Sequence, residues 1–537
     1  MIRAKTSATL AGRGSFSFNG VFSQDPQARP GTGSSVADLL LGLPNRIQTG
    51  TRATAREQQQ NLYWYFQDDW QVNSRLTLNL GVRYELTQPF IELDNRMANF
   101  ILEPEDALFG QLILAGDDRM PRSLLNTDMN NIAPRFGFAF RVIEGLVIRG
   151  GYGVFYGQDE GTGVNRRMTN NPPFFGFGGI ALPSDQLNPS STIPLSSSLP
   201  PRPDPVAPQD FVLNPSSTAR LRSWFQTLDM PTIQQWNFSI QKQLPGNIMW
   251  EVNYVGNSGR NLYASYEGNQ PTPGPGSPNN RRPHGQYTRA RIFRTEPWAT
   301  SSYHGVSTRL EKRFSGGLSF LTAFTHGRSL DTASNLGNCD ACGPSGDYGG
   351  IQDSRNLEAN RGPSNHNIPN RFVFSGVYSL PFSEGPLKHV LGGWDLSGIV
   401  TFSDGIPFTP ALNFDNANTG TTSRPDRVRD GTLSNPTIDR YFDVDAFVFP
   451  ERYTFGNSGR NILYGPGTNM VNFALHRNFP LALSETSKIE FRFEAFNFFN
   501  RPHFGLPGLS IGNRNAGVIG GTAQDNRQLQ FGLKLLF

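Results

Sequence analysis

Two kinds of connection join the β-like segments of this chain, and they alternate strictly. Residues 61–86, NLYWYFQDDWQVNSRLTLNLGVRYEL, show the unit. Leu76, Leu78, Leu80, Val82, Tyr84 and Leu86 fall on one face, while Arg75, Thr77, Asn79, Gly81, Arg83 and Glu85 fall on the other. Side chains alternate across a strand, so this is a ribbon with one apolar and one polar side. Asn73 and Ser74 leave room only for an antiparallel hairpin. The figure recurs around Glu144–Gly145, Pro245–Gly246, Ser315–Gly317, Ser383–Gly393 and Leu481–Ser487. Between hairpins lie residues 87–133, 157–234, 257–301, 329–369, 405–469 and 498–526, rich in Pro, Gly, Asn, Asp and Ser. Compact soluble domains seldom carry one structureless loop beyond about 15 residues. Six such loops on alternate connections match an outer-membrane barrel, with short turns at one rim and long loops at the other. The expected fold class is therefore all-β: a transmembrane antiparallel β-barrel with short periplasmic turns and long extracellular loops.

The two faces carry the same message. In SKIEFRFEAF, Lys488, Glu490, Arg492 and Glu494 share one face, and Ile489, Phe491, Phe493 and Ala495 share the other. A Lys or Arg on the lipid face near the midplane costs about 2–4 kcal/mol, so these charges are expected to face the lumen. The last stretch, RQLQFGLKLLF, puts Leu529, Phe531, Leu533, Leu535 and Phe537 on one side. It follows a long connection, so it runs inward to the periplasmic rim and is expected to be the membrane-assembly strand. Tyr63, Trp64, Trp70, Trp236, Trp250, Tyr254 and Trp394 lie near strand ends, as interfacial girdles require. A soluble sheet could show either face pattern alone; the loop alternation separates the two readings.

Composition removes other classes. The mean hydropathy of −0.42 and the lack of any apolar run of about 18 residues exclude a polytopic helical protein. A net charge of +4 without a basic run argues against nucleic acid and is compatible with a lipid and lipopolysaccharide surface. The opening MIRAKTSATLAGRGSF has no apolar h-region. Upstream, residues 15–24 and 45–55 look like strands, and VADLLLGLP at 36–44 looks like a helical turn. Counting these gives about 13–15 strands, whereas bacterial barrels close with an even number. Residues 1–537 are expected to form one barrel domain, incomplete at its N-terminus, without plug or first strands.

No catalytic site emerges. There is no Gly-Lys dipeptide for a phosphate-binding loop, no H-E-x-x-H and no G-x-S-x-G. GNSGRNLY (256–263) and GNSGRNILY (456–464) echo each other, and Gly/Asn turns explain Ser258 and Ser458 better than a nucleophile does. Asp68 and Asp69 are strand neighbours on opposite faces and cannot share a substrate. The loop at 415–431 could hold a hard cation but lacks EF-hand spacing, so a solvated loop is expected. Cys339 and Cys342, in GNCDACGP, could form a redox pair, half a zinc site or a loop disulfide; the surrounding Gly and Pro favour the disulfide. Neither metal nor cofactor is expected, and no ligand-binding residue can be named.

FQDDWQVNSRLTLNLGVRYE, LGGWDLSGIVTFSDGIPFTP, GRNILYGPGTNMVNFALHRNFP, FRFEAFNFFNRPHFGLP and the terminal Phe together resemble the TonB-dependent transporter barrels of the Oar-like family, from about Gly12 to Phe537. The resemblance implies an outer-membrane location, insertion by the barrel-assembly machinery, and TonB-energised uptake of a bulky substrate. It implies a TonB-type partner only if a plug and TonB-contacting segment precede the barrel. A surface adhesion barrel and a passive porin-like channel are the alternatives.

Overall fold

The structure, a computed structural model, describes the chain apart from residues 1, 9–13, 26–32, 51–52, 158–167, 176, 182–187, 198–212, 214–219, 290, 335–350, 383–387, 422 and 482–486. The hairpins merge into one sheet whose spatial order is the order of the sequence. Its thirteen main strands are β1 (Asn61–Gln71), β2 (Leu76–Thr87), β3 (Ile132–Ile143), β4 (Leu146–Tyr156), β5 (Thr232–Leu244), β6 (Ile248–Glu267), β7 (Ile292–Ser315), β8 (Leu318–Asp331), β9 (Asn370–Ser379), β10 (Trp394–Ser403), β11 (Thr468–Pro480), β12 (Lys488–Phe496) and β13 (Gln528–Leu536). Each is antiparallel to the next, and β1 and β13 are the two edges of the path. Two short strands, Leu221–Trp224 and Gly362–Pro363, pair at its flanks.

Local chemistry fixes the tight turns. The Asn73 side-chain oxygen accepts from the amides of Arg75 and Leu76, at 2.8 and 3.0 Å. Gly246 and Asn247 both take positive φ, 78° and 59°, the conformation that lets a short turn follow the twist of its strands. Strand direction reverses at every step, so the six long connections all leave by one end of the sheet and the six short ones by the other.

Register aligns the faces. Leu78, Phe138, Gly150, Phe238, Tyr254 and Val306 stand in one row across six strands. One residue along, Asn79, Gly137, Gly151, Asn237 and Val255 form a row on the opposite face. The apolar rows stay exposed, Phe238 and Ile240 among them, because in this fold their solvent is hydrocarbon. No described helix is long and apolar enough to cross a membrane, which says nothing of crossing by strands.

Three expectations need correction. The upstream strands form at Ser15–Ser17, Arg46–Gly50 and Ala53–Gln59, with helix α1 at Ser35–Leu40. They pair in two small sheets rather than joining the thirteen-strand path. The connection at 257–301 is partly strand: β6 and β7 run 20 and 24 residues and continue the ladder past the expected hairpin end. Of its turn-like residues SGRN, Arg260 and Asn261 fall in a register shift between Gly259 and Leu262, with Asn261 at φ 54°; Gly and Asn here serve a bulge. Finally, the long connections are packed rather than structureless. One apolar cluster includes Met97, Ile101, Ile113, Leu124 and Trp224; another includes Phe408, Leu412, Phe442, Phe447 and Leu463. Among the described residues these clusters thus form a canopy at the end of the sheet from which the long connections leave.

Candidate functional site: a polar concave wall under a packed canopy

The polar face is the concave one. A cavity of about 640 Å³ lies against this face of β7 to β12, where Glu311, Ser319, Ser375, Ser397, Asn472 and Glu494 line it together with Leu321, Val377, Ile399, Ala474 and Phe496. Nearer the short-turn rim, Ser379 donates to Asp395 at 2.5 Å. Asp395 lies 3.6 Å from His476, whose cross-strand partner is Arg492. On β1 and β2, Asn79 donates to Asp69 at 2.6 Å and Arg83 pairs with Glu85. Charges of both signs therefore interleave along the polar face.

The residues singled out from sequence fall as follows. Lys488, Glu490, Arg492 and Glu494 share the face that lines the cavity, and Lys488 pairs with Glu490 at 3.0 Å. Leu529, Phe531, Leu533, Leu535 and Phe537 are exposed on the opposite face, where Phe531 lies 5.0 Å from Phe493, ring centre to ring centre. Cys339 and Cys342 lie outside the described residues. Trp64 and Trp70 mark two levels of the apolar face, roughly 20 Å apart along β1 at ~3.4 Å per residue. Trp236 and Trp250 repeat that spacing, since Trp250 stands opposite Lys242, six residues beyond Trp236. Trp394 packs edge-on against Phe479 and Phe491. Tyr63 departs from the girdle: it shares the polar face, lies under the Arg83 guanidinium and contacts Thr87 at 3.5 Å.

The canopy holds polar groups that period-two reasoning missed. Arg460 and Asp331 form a buried ion pair, with side chains 2% and 5% exposed. Arg460 also donates to the Asn360 carbonyl at 2.9 Å and to Ser334 at 2.9 Å, tying its own connection to the one that follows β8. Arg424 packs beside it and bonds Asn360; burial first, then the Arg460 charge, lowers its pKa to about 10. Glu267, at the top of β6, faces Arg291 at 3.2 Å and Arg282 at 3.7 Å. Asn171 clamps the Leu221–Trp224 strand, accepting from the Arg222 amide at 2.6 Å and donating to the Ala98 carbonyl at 2.6 Å. One sequence signal existed for Arg460: the echoed SGRN, which puts Asn461 at φ 56° as it puts Asn261 at 54°.

The 415–431 loop is packed in its first part, with Ala417, Asn418, Thr419 and Arg424 buried, while Val428, Arg429 and Asp430 are exposed as expected of a solvated loop. Desolvation raises the Asp415 pKa, although its carboxylate accepts from the Gly420 amide at 2.5 Å. The folded state therefore holds that proton at pH values where the unfolded chain has lost it, and stability falls as pH rises through this window. Asp415→Asn is expected to be more stable than the parent at neutral pH. The gap should close below about pH 4, where both states are protonated. Denaturant midpoints across pH check this.

A protein family described as "Outer membrane beta barrel domain" matches residues 2–530. None of the curated proteins matches the chain. Among solved structures, the outer membrane transporter YddB from Escherichia coli is similar at 13% identity and a TM-score of 0.47, covering 90% of this chain and 48% of that one. The ferripyoverdine receptor of Pseudomonas aeruginosa is similar at 11% identity and a TM-score of 0.42, covering 90% and 39%. The FrpB iron transporter from Neisseria meningitidis is similar at 10% identity and a TM-score of 0.39, covering 90% and 45%. The chain spans less than half the length of each.

Proposed function

This chain belongs to the outer membrane beta barrel domain family, and from that premise we propose that it is the barrel of a receptor and transporter taking up a bulky substrate with TonB-derived energy. Membership puts it in the outer membrane of a Gram-negative-type bacterium and outside the enzymes. The observation that carries the transport reading is the pairing of a wide polar wall, with its cavity of about 640 Å³, and a canopy with apolar clusters of its own over one mouth. A passive channel needs an open mouth; a packed canopy suits recognition of something large before it enters. The segments resembling the Oar-like transporter barrels point the same way.

In this reading residues 1–537 act as one barrel domain. Lys488, Glu490, Arg492 and Glu494 keep the passage hydrated. Leu529, Phe531, Leu533, Leu535 and Phe537 form the strand offered to the barrel-assembly machinery and then to lipid and lipopolysaccharide. Cys339 and Cys342 bridge within their loop. A TonB-type protein is a partner when a plug and contacting segment accompany the barrel. A second reading, a surface barrel that binds partner cells or matrix, draws on the fixed shape that ion pairs such as Arg460–Asp331 give the canopy. Deleting the energising protein separates them. Growth on bulky nutrients, scanned against a strain lacking this chain, should lose the same nutrient in both strains. A nutrient lost without the chain but retained without the energising protein would overturn TonB-energised transport.

A further inference from the structure

Several cations on the polar face come with a carboxylate two residues further along the same strand. Arg83 pairs with Glu85, Arg309 with Glu311 and Lys488 with Glu490. Residues i and i+2 share a face, so each such pair neutralises itself against the wall. Arg135 and Arg141 on β3 and Arg149 on β4 have no such partner. All three are exposed, and β3, β4 and β5 contain no Asp or Glu at all. The polar-face carboxylates on the neighbouring strands are engaged: Asp69 with Asn79, Glu85 with Arg83. The Arg149 guanidinium bonds the Gln241 side chain instead, and that of Arg135 lies 4.7 Å over the Phe155 ring.

The same stretch of wall is bare at its centre. Gly81, Gly137, Gly151 and Gly153 are neighbours on the polar face, in the rows Gly81–Arg135–Gly153 and Asn79–Gly137–Gly151–Asn237. A Cβ on Gly81, Gly137 or Gly151 would meet nothing closer than 3.4 Å, and none of the three has a positive φ. Neither packing nor backbone conformation therefore asks for glycine there. Glycine inside a strand weakens it and marks a place where another group approaches the backbone. Cations flank this floor on both sides. Arg149 stands opposite Ala139, four residues from Arg135 along β3, which separates their levels by about 14 Å with the glycine row between.

We propose that this glycine-floored recess binds a solute carrying two or more carboxylate or phosphate groups, Arg135 taking one of them and Arg149 with Arg141 another. A guanidinium fork suits both oxyanions, because each accepts two parallel N–H bonds. The inference deepens the transport reading, on which calling the solute a substrate rests; the site itself rests on the wall.

Inorganic tripolyphosphate is the probe, titrated calorimetrically in low salt into the detergent-purified protein as the cell makes it. Saturable binding is expected. Arg135→Gln and Arg149→Gln should each weaken it about tenfold or more, the loss of bonds to a charged group. Arg371→Gln, on the polar face of β9, should stay within about twofold of the parent. Gly151→Leu keeps every charge but fills the floor, and should weaken binding as much as either arginine variant. Heat-dependent gel migration shows that each variant is folded, and Gly137→Leu stands in if Gly151→Leu is not. The proposal is overturned by a parent that shows no saturable binding, or by a leucine variant that binds like the parent. An equal loss in Arg371→Gln would overturn it too, since lumenal charge at large would then explain the attraction. Binding is read on purified protein, so the site can fail while energised uptake stands, and uptake can fail while the site stands.

Discussion

Ile240→Arg is expected to cost about 2–4 kcal/mol of barrel stability, while Asn237→Arg on the same strand should change it by no more than about 0.5 kcal/mol. Ile240 stands between Ile148 and Val252 on the apolar face, between the levels marked by Trp236 and Trp250. An arginine there meets hydrocarbon on every side and can reach headgroups only by distorting the bilayer. Asn237 is exposed on the concave face beside Gly151, where a guanidinium meets water and the existing mixture of charges. Reversible denaturant unfolding in liposomes measures both, and heat-dependent gel migration reports whether Ile240→Arg assembles at all. Equal costs for the two variants would mean that the faces are assigned the wrong way round. Few single substitutions separate a membrane wall from a soluble sheet so sharply, because in a soluble sheet the exposed position is the harmless one.

The wall was legible because lipid and water impose one rule on every strand. A period of two, a short connection and a change of face are local properties, and the hairpins carry them strand by strand. The canopy obeys no such rule. Pro407–Phe408 pairs with Leu463–Tyr464, and Ala411–Leu412 with Ser510–Ile511. These two-residue strands come from chain segments far apart, too short to show periodicity. Phe408 and Phe442 are fully buried there, yet in sequence Phe408 sits in GIPFTP and Phe442 in DRYFDVDA, where neither period marks a buried position. The strand Leu221–Trp224 illustrates the same limit: it is held by the side chains of Asn171, 51 residues before Arg222 in its own connection, and of Asn99 from another. Its partner on β7 is parallel to it. The upstream segments misled for a different reason. Their strand character was legible, but which edge they join depends on pairing, and the Ile2–Ala8 ladder makes that choice only in three dimensions.

Arg460→Met is expected to cost the canopy about 3–5 kcal/mol while leaving the wall intact. Removing one partner of a buried pair leaves the other charge without compensation, and Asp331 is buried at the canopy end of β8. The Asn360 carbonyl and the Ser334 hydroxyl lose a donor in the same step, so residues 351–367 and 451–464 should loosen together. Their amides should exchange faster and protease should cut them first, while exchange in β9 to β12 and heat-dependent migration stay at the parent values. Adding Asp331→Leu should recover most of the loss, because a pair of apolar side chains carries no stranded charge. If Arg460→Met instead lowered wall and canopy stability together, the canopy would not be a separate cooperative unit. Its ordering would then be inseparable from that of the barrel, and loop closure over the mouth could not be a movement of the canopy alone. With the expected result, the mouth is roofed by a body whose internal stability is set by one arginine. Binding above the membrane can then reposition that body without disturbing the strands that hold it there.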